Sequence, residues 1–421
     1  MKRILFKKGV KIFLVFTALF LLIATIGVFY IRTSNKKLIE GNVSSAVLND
    51  TLDFHFSSSG HIIIQVKSLK DGIEYPFLLD SGASNMIFKK DFKGLNFKDN
   101  GYGFAIGFNG GGFFTTVKKA SPIKIGEQMF SDLNFEFKEF NFDCTEELTG
   151  IIGVGVMRHL IWKIDFEKNK IYLSRENNQK YKGELIQAHL SKNSINNHLS
   201  WRINQNNSHS LKLLIDLGSN AVMCLDEKAA GDFKNSKKKG IFGFGSKGLD
   251  GTYKSENQEA YIFIDSINFD SNSYKNLPVY TSPGALNLLG LGFFDQFKTI
   301  TLDWKNSLLT LEKKEKDNSN FLWNTYGMHL DFSTGKMIVN SIIENSPAFG
   351  NGLTVDTEVL EINHKSASNK NEFCSLINTE MEKDSVFLKV SNDGRESFIS
   401  LTKKPIFCRE FILSTKKPGA S

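Results

Sequence analysis

"YPFLLDSGAS", residues 75–84, runs apolar up to one acid, Asp80, and then turns through Ser81-Gly82-Ala83. A carboxylate at the end of a buried-looking strand needs a reason. Capping its own turn through backbone N–H groups is the plainest one. A second stretch, "LKLLIDLGSN" (211–220), repeats the pattern at Asp216. The repetition extends outward. "HIIIQVKSLKDGIEYPFLLDSGAS" (61–84) matches "HLSWRINQNNSHSLKLLIDLGSN" (198–220): a strand, a polar turn, a second strand, then Asp-x-Gly. The turns, "KDG" and "QNNS", are good hairpin connectors.

Two further elements recur in the same order. Each copy holds a Gly-rich hairpin, "GYGFAIGFNGGGFF" (101–114) and "GIFGFGSKGLDGTY" (240–253). Each then closes on apolar-apolar-Gly and an Asp-aromatic turn: "TGIIGVGVMRHLIWKIDFEKNKIYL" (149–173) and "LNLLGLGFFDQFKTITLDWKNSLLTL" (286–311). Three shared elements in one order imply an internal duplication. Short β-branched and aromatic runs between Gly, Asn and Asp turns predict strands. Helical spacing is confined to short segments near 155–161 and 368–382. The reading is a mainly β chain in two related lobes.

Duplication gives the aspartates a second reason. Related lobes pack about a pseudo-twofold axis, where equivalent residues meet. Two carboxylates brought together share one proton and titrate as a unit. One then activates a water while the other protonates a substrate carbonyl. Gly82 and Gly218 permit the tight turns, and Ser81 is placed to bond across the lobes.

Taken in order, "LLDSGAS", the Gly-rich hairpin and "GIIG" resemble the aspartic protease superfamily in its retropepsin-like bacterial branch, over residues 55–315. The resemblance implies a pepsin-like or retropepsin-like acid protease fold with both lobes in one chain, 45–180 and 181–315. It implies Asp80 and Asp216 as the catalytic pair, and Ser81, Gly82, Gly218 and Ser219 as loop support. Residues 107–113, with Gly107, Gly110, Gly111 and Gly112, would form a flap, and 243–251 its twin. Ile151-Ile152-Gly153 and Leu288-Leu289-Gly290 would pass behind the aspartates. The second copy departs from the family pattern: Leu217 stands where a Thr or Ser is usual, so half of the cross-lobe clamp is missing. Ser219 is left to bond the Asp216 carboxylate. Leu217 also keeps a second reading open, a non-catalytic peptide-binding protein.

The chain has 421 residues, 41% apolar and 23% charged, an ordinary globular balance. Its net charge of +7 is concentrated at the start: Lys2, Arg3, Lys7, Lys8, Lys11, Arg32, Lys36 and Lys37 all precede the first acid. The remaining body is nearly neutral and does not ask for a nucleic-acid partner. Residues 12–31 carry no charge and are long enough to cross a bilayer. The flanking charges predict a basic segment, 1–11, in the cytoplasm and the bulk of the chain outside, periplasmic or extracellular. An uncleaved anchor fits better than a cleaved signal, which needs a shorter apolar run and a small-x-small site.

Residues 312–320, "EKKEKDNSN", read as a linker. Beyond it, "YGMHL", "ENSPAFGNGL" and "VLEIN" resemble a PDZ domain over roughly 325–405. That likeness implies a C-terminal peptide ligand added as a strand, its carboxylate received by Gly327, Met328, His329 and Leu330. Asp356-Thr357 replaces the usual Gly-Asp.

No metal or organic cofactor is expected. Cys144, Cys224, Cys374 and Cys408 form no CxxC, and the histidines form no HExxH. Cys374 and Cys408 are the nearest candidates for a disulfide; buried free thiols are the alternative. "GFGSKG" (243–248) matches G-x-G-x-x-G, but turn residues rather than a helix follow it, so a nucleotide site is rejected.

Overall fold

The computed structural model describes residues 2–405 except 45–46, 141–143, 145–146, 177–179, 206–208, 234–236, 250, 270–271, 316–320, 322, 333 and 393. The expected turn at 206–208, Cys408 and most of the linker lie outside the described residues. The chain is mainly β, with one long N-terminal helix, Lys2–Leu38. The two short helical segments expected at 155–161 and 368–382 form at Val154–Met157 and Lys370–Thr379.

The chain divides into two compact units. The first comprises Met1–Asp226, Lys247–Gly251 and Gly284–Asn318; the second comprises Glu227–Ser246, Thr252–Pro283 and Ser319–Ser421.

The first unit contains the duplicated aspartate segments. In the first copy, strand Ile62–Ser68 pairs antiparallel with Glu74–Leu79, which leads into Asp80. Glu74–Leu79 then lies parallel to Gly150–Ile152, and Gly150–Ile152 runs antiparallel to Met86–Ile87. The second copy repeats each relation. Leu199–Gln205 pairs with His209–Asp216, which lies parallel to Leu288–Gly290; that strand is antiparallel to Met223–Asp226. Met86–Ile87, Gly150–Ile152, Leu288–Gly290 and the last three residues of Glu74–Leu79 are buried throughout, whereas residues 213–216 alternate between buried and partly exposed positions. Ile63, Leu78, Met86, Phe88, Leu148 and Ile151 form one packed cluster beneath the first loop. Each such side chain contributes about 1.5–3 kcal/mol by leaving water.

A six-stranded sheet shows the symmetry in its register. Its order is Leu185–His189, Leu308–Glu312, Thr299–Asp303, Ile161–Asp165, Lys170–Ser174, Asn49–Asp53. In the repeat, Asp165 corresponds to Asp303 and Lys163 to Thr301. Lys163 pairs with Thr301, while Ile161 pairs with Asp303 and Asp165 with Thr299. The antiparallel ladder is therefore centred on two equivalent residues, as a pseudo-twofold axis requires. The shared Asp-aromatic turns are explained too. Asp165 accepts from Lys168 N at 3.0 Å and Asp303 from Asn306 N at 3.0 Å, each capping the turn that follows.

In the second unit, Gly251–Phe269 and Asn272–Ser282 form a long hairpin, paired from Ala260↔Thr281 to Phe269↔Asn272. Residues 243–251, expected as the twin of a flap, lie on strands Lys237–Gly248 and Gly251–Phe269, so a strand and not a helix follows "GFGSKG". Ile241–Gly243 pairs with Met337–Ile343, and Phe242 stacks on Phe349 at 5.9 Å. The C-terminal segment adds strands Met328–Asp331, Glu358–Ile362, Ser385–Asn392 and Arg395–Thr402, with helix Lys370–Thr379 capped by Asn369. Asp356 adopts φ +69°, a left-handed conformation that glycine enters more readily.

The cysteines divide. Cys224 is a buried free thiol, whereas Cys144 and Cys374 are disulfide-bonded, which corrects the free-thiol alternative for those two.

Candidate active site

The two Asp-x-Gly loops meet inside the first unit. A Cβ placed on Gly82 would lie 2.6 Å from Cγ of Asp216, and one on Gly218 would collide with the Asp80 carboxyl. Each carboxyl thus occupies the space that the opposite glycine leaves open. This is a stronger demand than turn geometry, and it falls on both glycines alike. The two carboxyls are hydrogen-bonded to each other.

Backbone donors hold each carboxyl from its own loop. Gly82 N donates to Asp80 Oδ1 at 2.7 Å and Gly218 N to Asp216 Oδ1 at 2.9 Å. Ala83 N–H adds to the first and Ser219 N–H to the second. Ser219 therefore acts through its backbone. Its hydroxyl faces the Cys224 thiol rather than the Asp216 carboxylate, which corrects the expected side-chain bond.

Both residues keep some solvent-accessible surface, but their carboxyls lie deep among neighbouring atoms. Desolvation is the first cause that raises both above the ordinary aspartate range. Asp216 is raised further by the charge of Asp80, so the second proton is lost late.

The clamp between the loops is one-sided. Ser81 Oγ, buried, donates to Ile215 O at 2.8 Å and accepts from Leu217 N at 3.1 Å. The equivalent position, Leu217, is fully buried and offers only hydrocarbon. The strands behind the loops lie where the resemblance implies: Asp80 N donates to Ile152 O at 3.0 Å, and Asp216 pairs with Gly290.

The residues expected to form a flap lie at the turn of a hairpin, Phe97–Ile106 with Gly112–Ala120. Gly107 N donates to Gly111 O at 2.8 Å, and Gly110 closes the turn at φ +78°. Leu286 N donates to Phe108 O at 3.0 Å, so the tip leans on the second copy's 284–286 segment.

Two site residues escaped sequence reasoning. Glu136, buried, accepts from Thr115 Oγ1 of the flap hairpin at 2.5 Å and from Ser84 Oγ of the Asp80 loop; burial raises it. His61 is bonded to the Gly218 backbone and to Ser59 Oγ at 2.8 Å, and burial lowers it to about 4. A signal for His61 existed: both aligned copies open on a histidine, His61 and His198.

The loop expected to receive a peptide carboxylate lies in the second unit. Gly327 has φ +74°, but its N–H donates to Thr325 Oγ1 at 3.0 Å and its carbonyl accepts from Ile343 N at 2.8 Å. Met328, His329 and Leu330 follow on strand Met328–Asp331, which pairs antiparallel with Met337–Ile343.

Among solved structures, the chain is similar to the aspartic proteinase from Irpex lacteus, with a TM-score of 0.41 and 13% identity, covering 63% of this chain and 98% of that one. It is also similar to Basic 7S globulin from soybean, with a TM-score of 0.39 and 10% identity, covering 64% and 97%. No protein-family model and no curated protein matches the chain.

Proposed function

We propose that the chain is a membrane-anchored aspartic endopeptidase in which Asp80 and Asp216 share a proton and activate a water against a peptide carbonyl. The observation that carries this reading is the reciprocal seating of each carboxyl over the opposite glycine. A pair so close holds one negative charge over a wide pH range. The ionised member takes a proton from the water while the protonated member gives one to the carbonyl oxygen. The flap tip at Gly107 and Gly110–Gly112 closes over the chain being cut. The reading uses no metal, so chelators leave activity unchanged.

The helix Phe13–Leu38 contains an 18-residue stretch of mean hydropathy 2.6, which supports a single membrane span. The disulfide-bonded state of Cys144 and Cys374 supports an oxidising compartment for the bulk of the chain, with the N-terminus cytoplasmic. Strand Met328–Asp331, which follows Gly327, supports a PDZ-like role in which a C-terminal peptide adds as a strand.

Full-length protein in nanodiscs is expected to cleave unfolded polypeptide. Asp80→Asn and Asp216→Asn each lower turnover by about 10²–10⁴-fold or more. Full activity in either variant overturns the pair. Leu217 favours a second reading, a cleft that binds peptide without cutting it. Peptide binding with no turnover in the unsubstituted protein would establish that reading instead.

A further inference from the structure

The N-terminal helix does not stop at the end of its apolar stretch. Its last two turns dock on strand Phe97–Ile106. Lys37 Nζ donates to Asn100 O at 3.0 Å, Ser34 Oγ to Tyr102 O, and Tyr102 N to Tyr30 Oη at 3.4 Å. Asn134 Nδ2 donates to Lys37 O at 2.9 Å, and Ser34 and Leu38 are buried. The helix is therefore a brace and not a tether.

These contacts fix a direction. Going from Asn100 to Tyr102 along the strand means going from Lys37 back to Tyr30 along the helix. Tyr30 belongs to the apolar stretch 12–31. The strand therefore runs toward the span, and Ile106 lies four residues beyond Tyr102, about 13 Å at strand rise.

The side chains along that path are unusual for a soluble surface. Residues 100–117 carry no charge, while Lys98, Asp99, Lys118 and Lys119 stand at the base of the hairpin. The pairs Tyr102↔Thr116, Phe104↔Phe114 and Ile106↔Gly112 share one face. On it Tyr102 is 60% exposed, Ile106 59% and Phe114 73%. The Phe104 and Phe114 rings meet at 5.2 Å. The other face, at Gly103 and Thr115, packs on Glu136. One face of the hairpin is thus satisfied by protein, and the other is aromatic and bare.

We propose that this bare face, Tyr102, Phe104, Ile106 and Phe114, is a lipid-contact surface seated in the bilayer interface beside the span. The proposal rests on the anchored reading above. The occupant is lipid because the face continues the surface of the apolar helix, uncharged where it approaches the span and charged where it leaves. Tyr102 suits that layer through its apolar ring and polar hydroxyl, and Phe104, Ile106 and Phe114 supply the apolar area that enters the acyl boundary. The face would sit about 5–10 Å into the headgroup and acyl boundary, as interfacial elements do. The flap tip, at the end of the same hairpin, is then held at the membrane surface.

The test is tryptophan quenching in full-length protein in nanodiscs, with nitroxide-bearing lipids. Phe114→Trp reports on the face and Phe20→Trp on the span; the unsubstituted protein supplies the background of its own tryptophans. Where Phe114→Trp fails to fold, Tyr102→Trp reports on the same face. The expected result is strong loss of Phe114→Trp emission to nitroxides near the headgroup, with Phe20→Trp quenched by deeper ones. Quenching at Phe20→Trp alone overturns the lipid surface and leaves the anchor standing. Blue-shifted Phe114→Trp emission without quenching means that protein covers the face, and overturns it too. No quenching at either position removes the anchor and the proposal together.

Discussion

The two aspartate loops share a backbone and differ in what clamps them. Each has its glycine under the other's carboxyl, its N–H donors on its own carboxyl and a parallel strand behind. Yet Ser81 spans both loops while Leu217 contributes only buried hydrocarbon, and His61 supports the second loop alone. The difference separates two kinds of constraint. Steric exclusion by a facing carboxyl admits no side chain, so both copies keep glycine. A hydrogen-bonded clamp can be served from one side, so the copies diverge.

The largest effect tests the symmetric half. Gly82→Ala and Gly218→Ala each push a methyl into the opposite carboxyl. Both should lower turnover by about 10²-fold or more, since displacements near 1 Å at a reacting group have that effect. Circular dichroism checks that the fold survives. A large loss at one glycine and none at the other would break the equivalence of the loops.

The asymmetric half gives a smaller effect. Ser81→Ala leaves Ile215 O and Leu217 N buried without their partner, which destabilises by about 1–3 kcal/mol. Denaturant unfolding measures it. Leu217→Thr alone costs stability by removing buried hydrocarbon, but in a double-mutant cycle with Ser81→Ala its hydroxyl should couple favourably by about 1 kcal/mol, the net worth of a neutral hydrogen bond. Zero coupling in the cycle would show that the clamp works only from Ser81.

Much of this was legible in the sequence because duplication wrote it twice. The ordered landmarks at Asp80 and Asp216, 149–173 and 286–311 predicted the strands and the meeting of the carboxyls. Ser219 was misread because its spacing from Asp216 says nothing of rotamer; the hydroxyl turns to Cys224. Glu136 carries no sequence sign of its role. It reads as one more acid in "NFEF", and only the fold sets it between Thr115 and Ser84. The bare face of the flap hairpin was hidden similarly, because alternation along "GYGFAIG" does not say which side the protein covers.

The finest comparison is between the paired histidines. Burial lowers both His61 and His198 from the ordinary 6.5 to about 4. A depressed histidine binds fewer protons folded than unfolded between those values. Its contribution to stability is therefore complete above about 6.5 and is lost as pH falls toward 4. The aspartate pair has the opposite sign. Its raised values stabilise the fold at low pH, and that contribution is lost as pH rises through them. The fold and the dyad thus pull apart in acid, and a bell-shaped rate profile should lose its acid limb partly to unfolding. His61→Asn and His198→Asn should each flatten the stability slope between pH 4 and 6.5 by a similar amount. They should differ in turnover near neutral pH, where both variants are folded. Only His61 bonds the Gly218 backbone, so only its replacement should slow the reaction, by a few-fold, with KM little changed. Equal turnover in the two variants would show that His61 serves stability alone, and that the second loop holds its place without the histidine beneath it.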